Sequence, residues 1–249
     1  MSDITPDPVH FATAARRLIV NADDFGQTNS INQGIAHAVE HGIVTSASLM
    51  VRFPGAVEAA AIAGRLTRLS VGLHVDLGEW TCRSGEWSLR YSVVPESDAD
   101  AVAAEIMRQL SMFRQLLGRE PTHLDSHQHV HRSEPSRSIV MELGCSLGIP
   151  VRHFGSVEHC GAFYGQTNEG YPYPEGLTVD HLVDLISDLP VGVTEISCHP
   201  GLQPDVDSMY CAERVQELNA LCDPRVRECL VTSGIEICSF HDLSRVATF

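Results

Sequence analysis

Short apolar runs alternate along this chain with segments whose apolar residues return every three or four positions. The runs 18–20, 47–51, 70–77, 121–125, 149–152, 193–198 and 235–240 read as strands. Between them, helical periodicity covers residues 56–66, 99–117, 135–147, 179–189, 212–221 and 224–232. The clearest helix is the fourth-residue stripe Val102, Ile106, Leu110, Phe113 and Leu117, stopped by Gly118. Ser30 and Gln33 match a capping box, with Ser30 as N-cap of a helix carrying Ile31, Ile35, Ala38 and Val39, and Gly42 as its left-handed C-cap. Residues 78–98 and 153–177 lack a clear period and read as long irregular segments, the first a lid or binding loop.

Strands separated by helices imply a parallel sheet with right-handed crossovers. About seven such units predict an α/β fold in a single domain, an incomplete TIM-like (β/α) barrel slightly ahead of an open doubly wound sheet. No G-x-G-x-x-G follows the first strand, which counts against a dinucleotide site. Residues 1–15 read as a flexible N-terminal tail and 16–249 as the folded domain.

Composition narrows the partners. The formal charge of −15, from 17 basic and 32 acidic residues, disfavours nucleic acid and anionic membrane, and suits a small neutral or cationic substrate. The N-terminal stretch lacks a signal-peptide core, and no run approaches a membrane span. Eight cysteines without any C-x-x-C suggest reduced thiols in a reducing, cytoplasmic setting. Thirteen histidines invite a search for metal ligands.

Strand ends carry the candidate chemistry. Asp23 and Asp24 end the first strand, and Gly26 permits a sharp exit. His74, followed by Asp76, ends the third, and His123, Asp125, His127, His129 and His131 occupy alternate positions around the end of the fourth. His199 with Pro200-Gly201 ends the sixth. In a parallel sheet all these ends lie on one face, where ligands collect. Five alternating side chains cannot all reach one ion, because each pair advances ~6.6 Å along an extended chain. His127, just past the strand end, is the expected ligand, and His129 and His131 then fall behind it, on the substrate or at the surface. One Asp with two His leaves open positions on a metal. Of Asp23 and Asp24, one can ligate and the other can accept a proton, with His199 as the acid. Two other motifs lack their context. Asp24-Phe25-Gly26 has no kinase loops before it, and Gly144-Cys145-Ser146-Leu147-Gly148 ends a helix instead of starting one. Cys198 sits in an apolar strand and reads as buried.

The blocks Asn21–Gly26, Gly42–Ser46, Gly72–His74, Thr122–His131, Phe163–Gly165 and Cys198–Pro200 resemble the YdjC/ChbG-type carbohydrate deacetylases, in the order that family has them. The resemblance implies a deformed (β/α) barrel and hydrolysis of an N-acetyl group from an amino sugar or short chito-oligosaccharide. It also implies one divalent metal held by Asp24, His74 and His127, with Asp23 as base. His199 as acid follows by analogy with the wider polysaccharide deacetylases. Gln128 stands where some relatives carry another histidine. Relatives also suggest a homodimer. Asp125 can orient a ligand histidine, and His129 and Tyr164 can stand behind the metal or touch substrate. Trp80, Trp87, Phe163, Tyr164, Tyr171 and Tyr173 offer either sugar stacking or plain packing. Histidine ligands favour Zn, Mn or Co, and carboxylate with water also suits Mg. A metal-dependent hydrolase of another bond, such as a phosphoester or cyclic amide, and a non-catalytic sugar-binding barrel are the alternatives.

Overall fold

The computed structural model describes residues 15–83, 85–167, 169–204 and 208–243. The strands are β1 Arg16–Phe25, β2 Ser46–Leu49, β3 Ser70–Val75, β4 Gly78–Arg83, β5 Glu86–Ser92, β6 Leu124–Ser126, β7 Val157–Cys160, β8 Gly192–Cys198 and β9 Ile235–Ile237. The helices are α1 Asn29–His41, α2 Ala56–Arg65, α3 Ala99–Leu117, α4 Ser136–Leu147, α5 Val179–Ser187, α6 Glu213–Leu221, α7 Pro224–Thr232 and α8 Phe240–Leu243.

Seven strands form one parallel sheet in the order β6-β3-β2-β1-β8-β7, with β9 against the start of β1. The sheet curls into a deformed half-barrel backed by helices, as expected. Its central strands are buried on both faces: β1 is covered from Leu18 to Phe25, and every residue of β2 and β3 is buried. Leu18, Val20, Leu49, Leu73 and Ile196 join Ile35, Ile106, Leu110 and Leu182 of the helices in one continuous core.

The count of seven agrees with expectation, but the membership differs. Residues 149–152 contribute only a bridge, Val151 to Leu124, because His153 turns the backbone to a φ of 68° and ends the extension. The place is taken by β7, a half-exposed edge strand of mixed polarity that no apolar run reveals. Residues 78–98 are not an open loop. They hold the antiparallel hairpin β4–β5, paired outside the main sheet, so β5 shows no buried alternating face. The last strand is shorter than 235–240, since Phe240 begins α8.

Two caps also differ. Thr28, not Ser30, is the N-cap of α1, and its hydroxyl accepts from Ile31 N–H. Ser30 instead donates to Gln203 O, and Gln33 donates to Glu58. Gly42 has a φ of −109°, not a left-handed one. It is tightly enclosed, since a Cβ there would stand 2.6 Å from Ala38 O. Gly118 and Gly148 do close α3 and α4 in left-handed conformations. The expected N-terminal tail lies outside the described residues, apart from Ala15, whose carbonyl accepts from Gly192 N–H.

Candidate active site

The carboxyl ends of β1, β3, β6 and β8 open into a cleft of about 590 Å³. Consecutive residues of a regular strand face opposite ways, yet Asp23 and Asp24 both line this cleft. The register of β1 against β2 slips between Ala22 and Phe25, and Asp24 adopts a φ of 64°. This irregularity re-aims the two neighbouring carboxylates to one side. Gly26 follows at a φ of +95°, packed so closely that a Cβ would meet Met50 O at 2.9 Å.

Asp24, His74 and His127 converge. Asp24 Oδ1 is 3.1 Å from His127 Nδ1 and 3.5 Å from His74 Nε2. Ligands sharing one ion at about 2.1 Å stand roughly 3–3.5 Å apart, so these separations suit a common cation. His74 Nδ1 lies 2.8 Å from Asp125 Oδ1, which leaves Nε2 to face the cluster. The donor set, one carboxylate oxygen and two imidazole nitrogens, fits a divalent metal with room for further ligands. Burial opposes charge on His74, but Asp125, Asp24 and Asp23 outweigh it and push its pKa up to about 10. Burial also opposes ionisation of Asp24, whose pKa Arg214 and His127 nonetheless hold well below the usual range.

Asp23 is gripped from behind. Arg152 donates to both its oxygens, at 2.6 and 2.7 Å, and Asn21 Nδ2 donates to it at 2.8 Å. Burial would raise the pKa of Asp23, but Arg152 prevails and brings it to about 2. The same guanidinium reaches Asp125 at 2.8 Å and Glu195 at 2.6 Å. Burial leaves Glu195 pushed up to about 7 despite that contact.

His199 follows β8 and brings Nε2 to 3.9 Å from Asp23 Oδ2. Its Nδ1 stands 3.5 Å from Glu217 Oε1, and its backbone N–H donates to Glu217 Oε2. Burial would lower the His199 pKa, but Glu217, Asp23 and Asp24 raise it overall. Tyr210 donates its hydroxyl to Glu217 and stacks on Tyr164, with ring centroids 4.5 Å apart. Tyr164 meets the His199 ring edge-on at 5.5 Å, so it walls the cleft beside His199.

The histidine run separates into three environments. After Ser126 the chain leaves the strand, and Gln128 and His129 take left-handed φ values of 49° and 54°. His123 is buried, 3.8 Å from the Phe240 ring, against Gly72, where any Cβ would strike the imidazole at 2.5 Å. His131 is neither at the surface nor on substrate: it is fully buried and hydrogen-bonded to Ser126 and to Arg152 O. His129 joins His153 and His159 on another wall of the cleft. Asp76 is structural, pairing with Arg52 and accepting from Tyr91 Oη at 3.0 Å. Phe163 and Cys198 are buried core, whereas Trp80, Trp87, Tyr171 and Tyr173 are exposed.

Arg152, Glu195, Tyr210, Arg214 and Glu217 do not stand out in the sequence as site residues. A signal existed in α6, where Arg214, Glu217, Leu218 and Leu221 share one buried helical stripe. Charged residues in such a stripe need buried partners, and here those are Asp24 and the His199 backbone.

Residues 17–232 match the family described as YdjC-like protein. The chain is 31% identical to the carbohydrate deacetylase of Geobacillus stearothermophilus, across 93% of this chain and 99% of that protein. It is 31% identical to the chitooligosaccharide deacetylase of Serratia marcescens, across 91% and 98%. A crystal structure from Enterococcus faecalis V583, described as a cellobiose-phosphate cleavage protein, superposes with a TM-score of 0.73 at 23% identity, covering 92% of this chain and 99% of that one. A family 4 carbohydrate esterase from Streptomyces lividans shares the fold with a TM-score of 0.52 at 14% identity, covering 90% and 91%. The family match over most of the length, together with relatives above 30% identity along nearly all of theirs, establishes that this chain belongs to the YdjC-like family.

Proposed function

We propose that this protein is a metal-dependent deacetylase that hydrolyses the N-acetyl group of an amino sugar or short chito-oligosaccharide. The observation that carries the reading is the convergence of Asp24, His74 and His127 on one point beside Asp23 and His199. The deacetylase names of the full-length relatives support the substrate class. Asp24, His74 and His127 would hold one divalent ion, with Zn, Mn or Co favoured by the imidazoles and Mg compatible with the carboxylate. When bound, such an ion polarises a carbonyl and lowers the pKa of water.

The chain's own residues supply the proton transfers. Asp23, ionised and fixed by Arg152, accepts a proton from the attacking water. Arg152 keeps that carboxylate aimed into the cleft and neutralises part of the negative charge behind it. His199, whose hold on a proton Glu217 strengthens, donates that proton to the departing amine. Tyr164 closes the wall beside it, and Trp87 offers a face on which a sugar ring can stack. All eight cysteines are free thiols, which supports a reducing, cytoplasmic setting.

The test is acetate release from N-acetylglucosamine, diacetylchitobiose and longer chito-oligomers. Metal-stripped protein is expected to be inactive, and Zn, Mn, Co or Mg to restore release. Metal-loaded protein that releases no acetate from any of them would contradict the reading.

A further inference from the structure

His129, His153 and His159 form a second cluster that the proposed reaction does not use. They come from three places: the turn after β6, the bend after Val151, and the middle of β7. One nitrogen from each lies within 4.8 Å of the other two. Ring centroids stand 5.0 Å apart for 129–153, 5.5 Å for 129–159 and 4.5 Å for 153–159. Two of the rings carry a buried nitrogen with no hydrogen-bond partner, His129 Nδ1 and His153 Nε2. Buried imidazole nitrogens seldom remain unpaired without a reason.

The backbone points the same way. His129 and His153 both hold left-handed φ values, 54° and 68°. Such conformations cost free energy in a residue with a side chain and tend to cluster where a ligand is gripped. His159 is fixed by Ser197 Oγ, 3.1 Å from its Nε2. That contact occupies Nε2 and leaves Nδ1 as the nitrogen for a ligand. Around a tetrahedral ion the nitrogens would stand about 3.4 Å apart, and here they already lie within 4.8 Å of one another.

We infer that His129, His153 and His159 form a second metal site, for a transition ion of the Zn(II) class, with an open position facing the same cleft as Asp23 and Asp24. All three line that cleft. An all-nitrogen donor set selects zinc, cobalt, nickel or copper and rejects magnesium, which needs oxygen ligands. Three histidines leave a fourth position free for water or a substrate oxygen. The inference does not depend on deacetylation.

The test is a Co(II) and Zn(II) titration of the metal-stripped full chain, reading bound metal per chain after desalting and the visible Co(II) bands. The variants are His153→Asn, His159→Gln, His74→Ala and the pair His74→Ala/His153→Asn. Asparagine accepts the left-handed backbone at 153, and the substitution at 159 lies on another segment, so one informs if the other misfolds. The expected result is two ions in the wild type, one in each single variant and none in the double. Magnesium should neither occupy nor protect the second site. One ion in the wild type, lost in His74→Ala, would overturn the inference, as would two ions unaffected by His153→Asn and His159→Gln. One ion lost in His153→Asn but kept in His74→Ala would uphold it and instead remove the Asp24 centre.

Discussion

Glu217 shows how one buried side chain sets the chemistry of another. Its carboxylate accepts from the His199 backbone, takes the Tyr210 hydroxyl and faces His199 Nδ1 at 3.5 Å. Burial alone would favour neutral His199, and Glu217 is the leading cause of the opposite outcome. A general acid works only below its pKa, so a raised value extends activity to higher pH. Glu217→Gln removes the charge and keeps the shape. The alkaline limb of kcat against pH is then expected to move to lower pH, while bound metal stays unchanged; an unmoved limb would take His199 out of the acid role. Asp23, Asp24, His74, His127 and His199 were legible in the sequence because each stands at or just past a strand end, where a parallel sheet gathers its chemistry. Arg152 was not, since its role appears only when the curled sheet brings Asp23, Asp125 and Glu195 around one guanidinium.

At the scale of elements, the hairpin β4–β5 is tied to the histidine turn by one side chain. Gln128 accepts from Trp80 N–H and donates to Trp80 O, both at 2.8 Å. Gln128 therefore fastens the hairpin and takes no place in the Asp24–His74–His127 cluster. Losing hydrogen bonds worth about 1 kcal/mol each should loosen the hairpin more than it alters the reacting groups. Gln128→Ala is expected to raise KM several-fold, most for longer substrates that reach Trp87, with kcat little changed; initial-rate kinetics decide. The hairpin was unreadable beforehand because it packs outside the main core and so carries no buried alternation. Helices α2 to α7 were legible to within about two residues, though α8 was not: α3 and α7 have their expected limits, because their apolar stripes and end signals agree.

Across the whole molecule, the histidines with displaced pKa values divide into two sets with opposite pH linkage. Burial depresses His123 and His159 to about 3, His131 and His153 to about 4, and His129 to about 2. The unfolded chain takes up these protons near pH 6.5 and the folded chain does not, so stability falls as pH drops below that value. His74 and His199 are raised, so their contributions are complete below about pH 6.5 and fade as pH rises through their folded values. Metal-free protein is therefore expected to be most stable near pH 6.5, with Tm falling on both sides in thermal melts with chelator present. A Tm that climbs steadily from pH 5 to 9 would contradict this division. The parallel order was legible from alternating strand and helix signals, but the exchange of residues 149–152 for β7 was not, because it depends on the turn at His153.

Asp24, His74 and His127 are proposed to hold a metal for a reaction in which Asp23 accepts one proton and His199 donates another. The most direct measurement is acetate release from diacetylchitobiose alongside metal retained at the Asp24 centre, on the same samples of wild type, His74→Ala and Asp23→Asn. Loss of both metal at that centre and turnover is expected in His74→Ala, and loss of turnover with metal kept in Asp23→Asn. Full activity in His74→Ala with the centre empty would contradict it.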